Sequence, residues 1–77
     1  MNHNIIETKQ YILYISYRTV VALYDKTTGK YKIDYYMEAP SRTTAKHFNQ
    51  MLGTHYKQFM KDHEIENYED LSKIYYY

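Results

Sequence analysis

The chain has no cysteine and no tryptophan. The first absence removes disulfides and thiolate metal ligands as ways to brace a small fold, and it fits a reducing, cytoplasmic setting. Glycine occurs only twice. Neither glycine belongs to a Gly-rich loop that would let a nucleotide approach the backbone, so a P-loop is excluded. No apolar run approaches the ~20 residues needed to cross a bilayer. The opening MNHNIIETKQ lacks the basic stretch and apolar core of a signal peptide. The expectation is a soluble protein with no membrane partner.

Recognisable catalytic patterns are missing as well. Three of the four histidines, His47, His55 and His63, are spaced by eight. Eight residues advance a helix by roughly 80° beyond two full turns, so these imidazoles drift around the cylinder instead of meeting one ion, as a spacing of four would allow. Ser41, Thr43 and Thr44 lie near His47, but no acid is placed to orient the histidine and there is no strand–turn–helix nucleophile elbow. The expectation is a non-enzyme with no catalytic residues, no metal and no cofactor.

What the chain does have is tyrosine: twelve, beside two phenylalanines, where roughly two or three would be usual at this length. A domain of 77 residues buries only ~60% of its unfolded surface, so twelve phenols cannot all lie inside. Tyrosine gives large contact area at low entropy cost, which suits a binding surface. Charge is nearly balanced overall, at +1, but unevenly placed. Residues 1–61 carry nine Lys/Arg and four Asp/Glu, a balance of +5; residues 62–77 carry one lysine and five acids, a balance of −4.

The elements read as follows. Residues 1–9 form a short strand or stay loose. YILYISY (11–17) has apolar residues on both faces, as a central strand does. The Arg18–Thr19 pair is a tight bend, and VVALYD (20–25) is the second strand. KTTGK (26–30) turns at Gly29, and YKIDYYM (31–37) alternates as a strand with one wet face. Pro40 biases Ala39 away from helical angles, and Ser41 caps a helix. Its apolar positions, Ala45, Phe48, Met51, Leu52, Tyr56, Phe59 and Met60, recur at threes and fours. This predicts one helix over about 42–62 with a weak point at Gly53. Asn67 is the expected cap of a short helix from Tyr68, with Leu71 and Ile74 inward. The fold class is α+β, a three-stranded antiparallel sheet packed by one long amphipathic helix plus a short C-terminal helix. It forms one small domain, 1–77, with 63–77 as an acidic, Tyr-rich extension. The expected core is Leu13, Ile15, Val21, Leu23, Ile33, Tyr35, Phe48, Met51, Leu52, Tyr56 and Phe59.

Two stretches carry a resemblance. Tyr17, Thr19, Val21 and Ala22, then Ser41, Thr43, Thr44, Lys46 and His47, resemble a family of short uncharacterised proteins of bacteriophages and mobile elements of low-GC Gram-positive bacteria. Those proteins share a Ser-x-Thr-Thr-x-Lys-His helix start. The match spans roughly residues 14–53. It implies a setting, phage against bacterial host and the host cytoplasm, and no mechanism.

The functional expectation is an accessory protein that binds a host or phage protein. Its concrete form is an anti-CRISPR-like inhibitor of a host defence or nucleic-acid enzyme. Candidate contact residues are Tyr36, Arg42, Lys46 and Lys57, the acids Asp62, Glu64, Glu66, Glu69 and Asp70, and the terminal Tyr75, Tyr76 and Tyr77. The five acids have the charge to imitate nucleic-acid phosphates, and equally that of a solvated face. Arg42 and Lys46, at a helix N-terminus, could attract an anion. The alternative is a DNA- or RNA-binding regulator using Arg18, Lys30, Lys32 and Tyr36 on the sheet, or Lys46, Asn49, Gln50, Lys57 and Lys61 on the helix. A homodimer would help so small a core.

Overall fold

The computed structural model describes residues 2–75. Four strands follow one another, each antiparallel to the next: β1 (His3–Glu7), β2 (Tyr11–Ser16), β3 (Thr19–Asp25) and β4 (Lys30–Ile33). Two helices come after them, α1 (Arg42–Leu52) and α2 (Tyr56–Asp62), with 3-10 turns at Tyr35–Glu38 and Leu71–Lys73. The class is α+β as the sequence implies, but the sheet has four strands, not three. The extra strand lies in the segment whose order the sequence left open. β1 pairs with β2 along its whole length, from His3↔Ser16 to Glu7↔Ile12. Its tight turn is closed by Thr8, whose N–H donates to the Tyr11 carbonyl at 2.7 Å and whose hydroxyl accepts from Tyr11 N–H at 2.9 Å.

Both faces of the sheet are buried. On one face Tyr14, Ala22 and Ile33 pack with Met37, Phe48 and Phe59 from the helical half. On the other, Leu13, Ile15, Val20 and Leu23 are covered by Leu71, with Ile6, Tyr11 and Tyr75 around them. The two apolar faces of the YILYISY segment are thus explained, since β2 lies inside the sheet and inside two cores. A bulge sits between Tyr14 and Ile15, which pair with Ala22 and Val20, so Val21 is the extra residue.

β4 is shorter than its alternation suggests. The strand pattern of 31–37 stops at Ile33 because Asp34 intervenes. Its carboxylate accepts from the N–H groups of Tyr36 and Leu71, both at 2.9 Å, while its own N–H donates to the Val21 carbonyl at 2.9 Å. The first of these bonds caps a 3-10 turn. The turn rotates Tyr35 out of the expected core to 58% exposure and leaves Met37 fully buried. Period-two alternation cannot distinguish a strand from a strand that is broken by its own cap.

The single long helix of the sequence reading is two helices. Ser41 caps α1 as expected, accepting from Thr44 N–H at 3.1 Å. Gly53 ends it in the left-handed region at φ 79°, and its N–H returns to the Asn49 carbonyl. The Asn49 side chain then accepts from Tyr56 N–H at 3.1 Å and ties the two helices together. Phe48 and Phe59 are buried, whereas Met51, Leu52 and Tyr56 are only half-buried. Near the C-terminus the expected helix from Tyr68, capped by Asn67, is instead the 3-10 turn Leu71–Lys73 capped by Asp70. Leu71 is buried as expected, but Ile74 is turned outward.

Replacing Asp34 with alanine strands two backbone donors, one at each end of a long sequence separation. Each lost cap costs about 1 kcal/mol, so urea denaturation of Asp34→Ala is expected to show a loss of about 2 kcal/mol. Asp34→Asn, which keeps one carbonyl acceptor, is expected to lose about half of that.

Candidate partner-binding cleft

Beyond α2 the chain reverses at Glu64, which holds φ 55°. Ile65 N–H donates to the Met60 carbonyl at 2.8 Å, and residues 64–67 then run past β4 without pairing to it. The strands of hydrogen bonding meet only further on. Glu69 N–H donates to the Ile33 carbonyl and Tyr35 N–H to the Glu69 carbonyl, both at 2.8 Å, a parallel bridge between Asp34 and Glu69. Between the two runs lies an open cleft of about 710 Å³, lined among others by Lys30, Tyr31, Lys32, Glu64, Glu66 and Glu69.

The register shows which backbone groups face this cleft. Asp34 bonds inward to β3, so the alternate residues of β4, Tyr31 and Ile33, direct their N–H and C=O outward. Glu69 takes the Ile33 carbonyl. The N–H and C=O of Tyr31 have no protein partner among the described residues. The strand carrying them is held firmly, because the Tyr31 ring lies 4.8 Å from Tyr24, 4.9 Å from Phe59 and 4.7 Å from His63, centroid to centroid.

The five acids of the C-terminal stretch do not form one patch. Asp62 accepts from the Gln58 amide at 2.7 Å. Glu69 pairs with Lys32 at 3.3 Å. Asp70 caps the last turn by accepting from Ser72 N–H at 3.1 Å. Glu64 and Glu66 remain exposed and unpaired among the described residues. Tyr75 leans edge-on against Tyr11 at 6.3 Å, on the opposite sheet face. Tyr36, Arg42, Lys46 and Lys57 are exposed on the 3-10 turn and the two helices, away from the cleft lining. Tyr76 and Tyr77 lie outside the described residues. The structure therefore brings Glu64, Glu66 and Glu69 together with Lys30 and Lys32, and leaves the other candidates dispersed.

A second polar cluster lies at the opposite helix end. Ser16 Oγ is hydrogen-bonded to His47 Nδ1 at 2.8 Å and to Thr44 Oγ1 at 3.2 Å. The sequence reading paired His47 with its neighbours on α1 and missed Ser16, 31 residues away. Ser16 is 1% exposed, so its hydroxyl offers a substrate no approach. The trio pins α1 to β2. Tyr17, in the left-handed region at φ 55°, and His3 set their rings against His47 at 5.4 and 4.7 Å.

Burial pushes the His47 pKa below that of an ordinary imidazole, and the positive charges of His3 and Lys46 push it the same way. The folded chain thus prefers neutral His47, while the unfolded chain binds a proton near pH 6.5. Its contribution to stability is full above that pH and is lost as pH falls from there through the depressed folded value. Urea midpoints measured across this window are expected to fall with falling pH, and less steeply in His47→Phe. A separate expectation concerns Glu64, where a left-handed conformation costs a side chain about 1 kcal/mol. Glu64→Gly is expected to raise the unfolding free energy by about that amount, measured by urea denaturation.

No curated protein and no solved structure matches this chain. A family model matches residues 1–67, which takes in the whole sheet, both helices and the acidic wall through Glu66 and stops short of Glu69 and Leu71. The chain belongs to that family, one of unknown function (DUF8033).

Proposed function

We propose that this protein is a non-enzymatic, phage-type accessory protein that acts in the host cytoplasm by binding another protein, and that the cleft beside β4 is where the partner docks. The concrete form of the proposal is an inhibitor of a host defence or nucleic-acid enzyme. The observation that carries it is the unpaired outer edge of β4 at Tyr31, held rigid and facing an open cleft. Exposed strand edges recruit extended segments of partners, with backbone bonds supplying affinity and flanking side chains selectivity. Glu69 already makes one such addition to the same edge from within the chain. Glu64 and Glu66 on the facing wall add charge that favours a cationic partner surface.

The test is an affinity pull-down of the tagged protein from a bacterial lysate, with and without nuclease, beside the double variant Glu64→Lys/Glu66→Lys. A stoichiometric protein partner that survives nuclease and is lost at least tenfold in the double variant is the expected outcome. Recovery of nucleic acid alone, all of it lost on nuclease treatment, would overturn the reading in favour of a regulator using Arg42, Lys46 and Lys57.

A further inference from the structure

We infer that β1 is a self-association edge: two copies of the chain pair β1 against β1 antiparallel about a two-fold axis at Ile5, joining their sheets into one of eight strands. The interface is distinct from the cleft, which flanks the opposite edge strand.

The backbone register singles out the groups involved. Tyr17 N–H donates to the Asn2 carbonyl at 2.6 Å, so even-numbered residues of β1 bond inward to β2. His3, Ile5 and Glu7 therefore direct their N–H and C=O groups outward. β4 differs, because its edge is closed at Ile33 by Glu69. Ile5 sits at the centre of β1 and is 49% exposed, an isoleucine at the outer border of the sheet face on which α1 packs. An unpaired, partly apolar strand edge is a template for pairing with another chain.

The sequence of β1, HNIIE, selects the register. Pairing about Ile5 overlaps all five residues and sets Ile5 opposite Ile5 of the second copy. It also sets His3 opposite Glu7, twice, by symmetry. His3, Ile5 and Glu7 lie on the same sheet face, since their β2 partners are Ser16, Tyr14 and Ile12. In the single chain Glu7 is paired with Lys26 and the His3 ring rests on His47; in the dimer each shares that partner with its cross-strand neighbour, which sets a basic side chain beside an acidic one on either side of the apolar pair. Moving the axis to Glu7 would oppose like charges, and moving it to His3 or Asn4 would shorten the overlap. In the single chain the Asn4 carboxamide accepts from Ile5 N–H at 2.9 Å, occupying the central donor of the edge. That side chain swings aside when the second copy binds, so Asn4→Ala is expected to tighten the dimer.

The absence of cysteine makes the register testable by a single substitution. In the proposed dimer the two Ile5 Cα atoms form a hydrogen-bonded pair about 5.5 Å apart, within disulfide range. The two His3 Cα atoms are four positions out of register and well beyond it. Under mild oxidation the full-length Ile5→Cys variant is expected to run as a covalent dimer on non-reducing gels, and His3→Cys as a monomer. Sedimentation equilibrium of the unmodified chain should show a mass rising with concentration towards twice 9.5 kDa. Ile5→Lys should hold the monomer mass with an unchanged far-UV CD spectrum. A constant monomer mass at every concentration, or cross-linking of His3→Cys as readily as Ile5→Cys, would overturn the proposal. The disulfide experiment stands even if Ile5→Lys fails to fold.

Discussion

Everything downstream of the sheet hangs from Asp34. One residue ends β4, through a backbone bond to Val21 and a carboxylate that captures two further backbone donors. One of them starts the turn that buries Met37 and leads to α1. The other, on Leu71, draws the C-terminal segment across the sheet. A carboxylate accepting from backbone N–H groups is a charge-assisted arrangement, stronger than a neutral cap. Here it is spread over 37 residues of sequence, so it organises tertiary structure and not just a local turn.

That anchoring gives a short chain two cores. Helices alone would cover one face of the sheet and leave Leu13, Ile15 and Leu23 in water. With Leu71 held over them, all three are essentially inaccessible. The cleft is a by-product of the same geometry. The chain must travel from the end of α2, on one side of the sheet, to Leu71 on the other, and it does so round the β4 edge. It touches that edge only at Glu69 and leaves the stretch at Tyr31 open. Tyrosine suits this architecture because most of its rings sit at boundaries. Tyr14 is the one buried phenol among the described residues; Tyr17, Tyr35 and Tyr36 are exposed and the rest of those described are half-buried.

The two sheet edges are finished differently. β4 is partly closed by the chain itself and sunk beside a charged wall, whereas β1 is short and blunted only at Ile5 by the Asn4 side chain. Short strands and side chains that occupy edge donors are usual ways of discouraging uncontrolled pairing. They leave room for a specific pairing whose side chains are complementary. The backbone strain in this chain also lies at exposed positions. Tyr17 and Glu64 are the non-glycine residues at positive φ among those described, one beside His47 and one at the mouth of the cleft.

What the sequence determined by itself was local. Ser41 caps α1 because a hydroxyl three residues before a free N–H needs no help from the rest of the chain. The β2 segment read as a central strand because both its faces are apolar, and the α+β class followed from period two giving way to period three to four. Gly53 was visible as a weak point, but the apolar rhythm runs on through it, and periodicity cannot register a break that preserves the buried face. The fourth strand was missed because HNIIE brings only Ile6 to a core and is held mainly by backbone bonds to β2. Tertiary structure alone decided the rest. It decided that Ser16 and not a neighbouring hydroxyl meets His47, that Glu69 goes to Lys32 while Glu64 and Glu66 stay free, and that Asp34 breaks its strand instead of decorating it. Each of these joins residues far apart along the chain. Their meeting depends on where the sheet places them, and no short-range pattern of residue types encodes that placement.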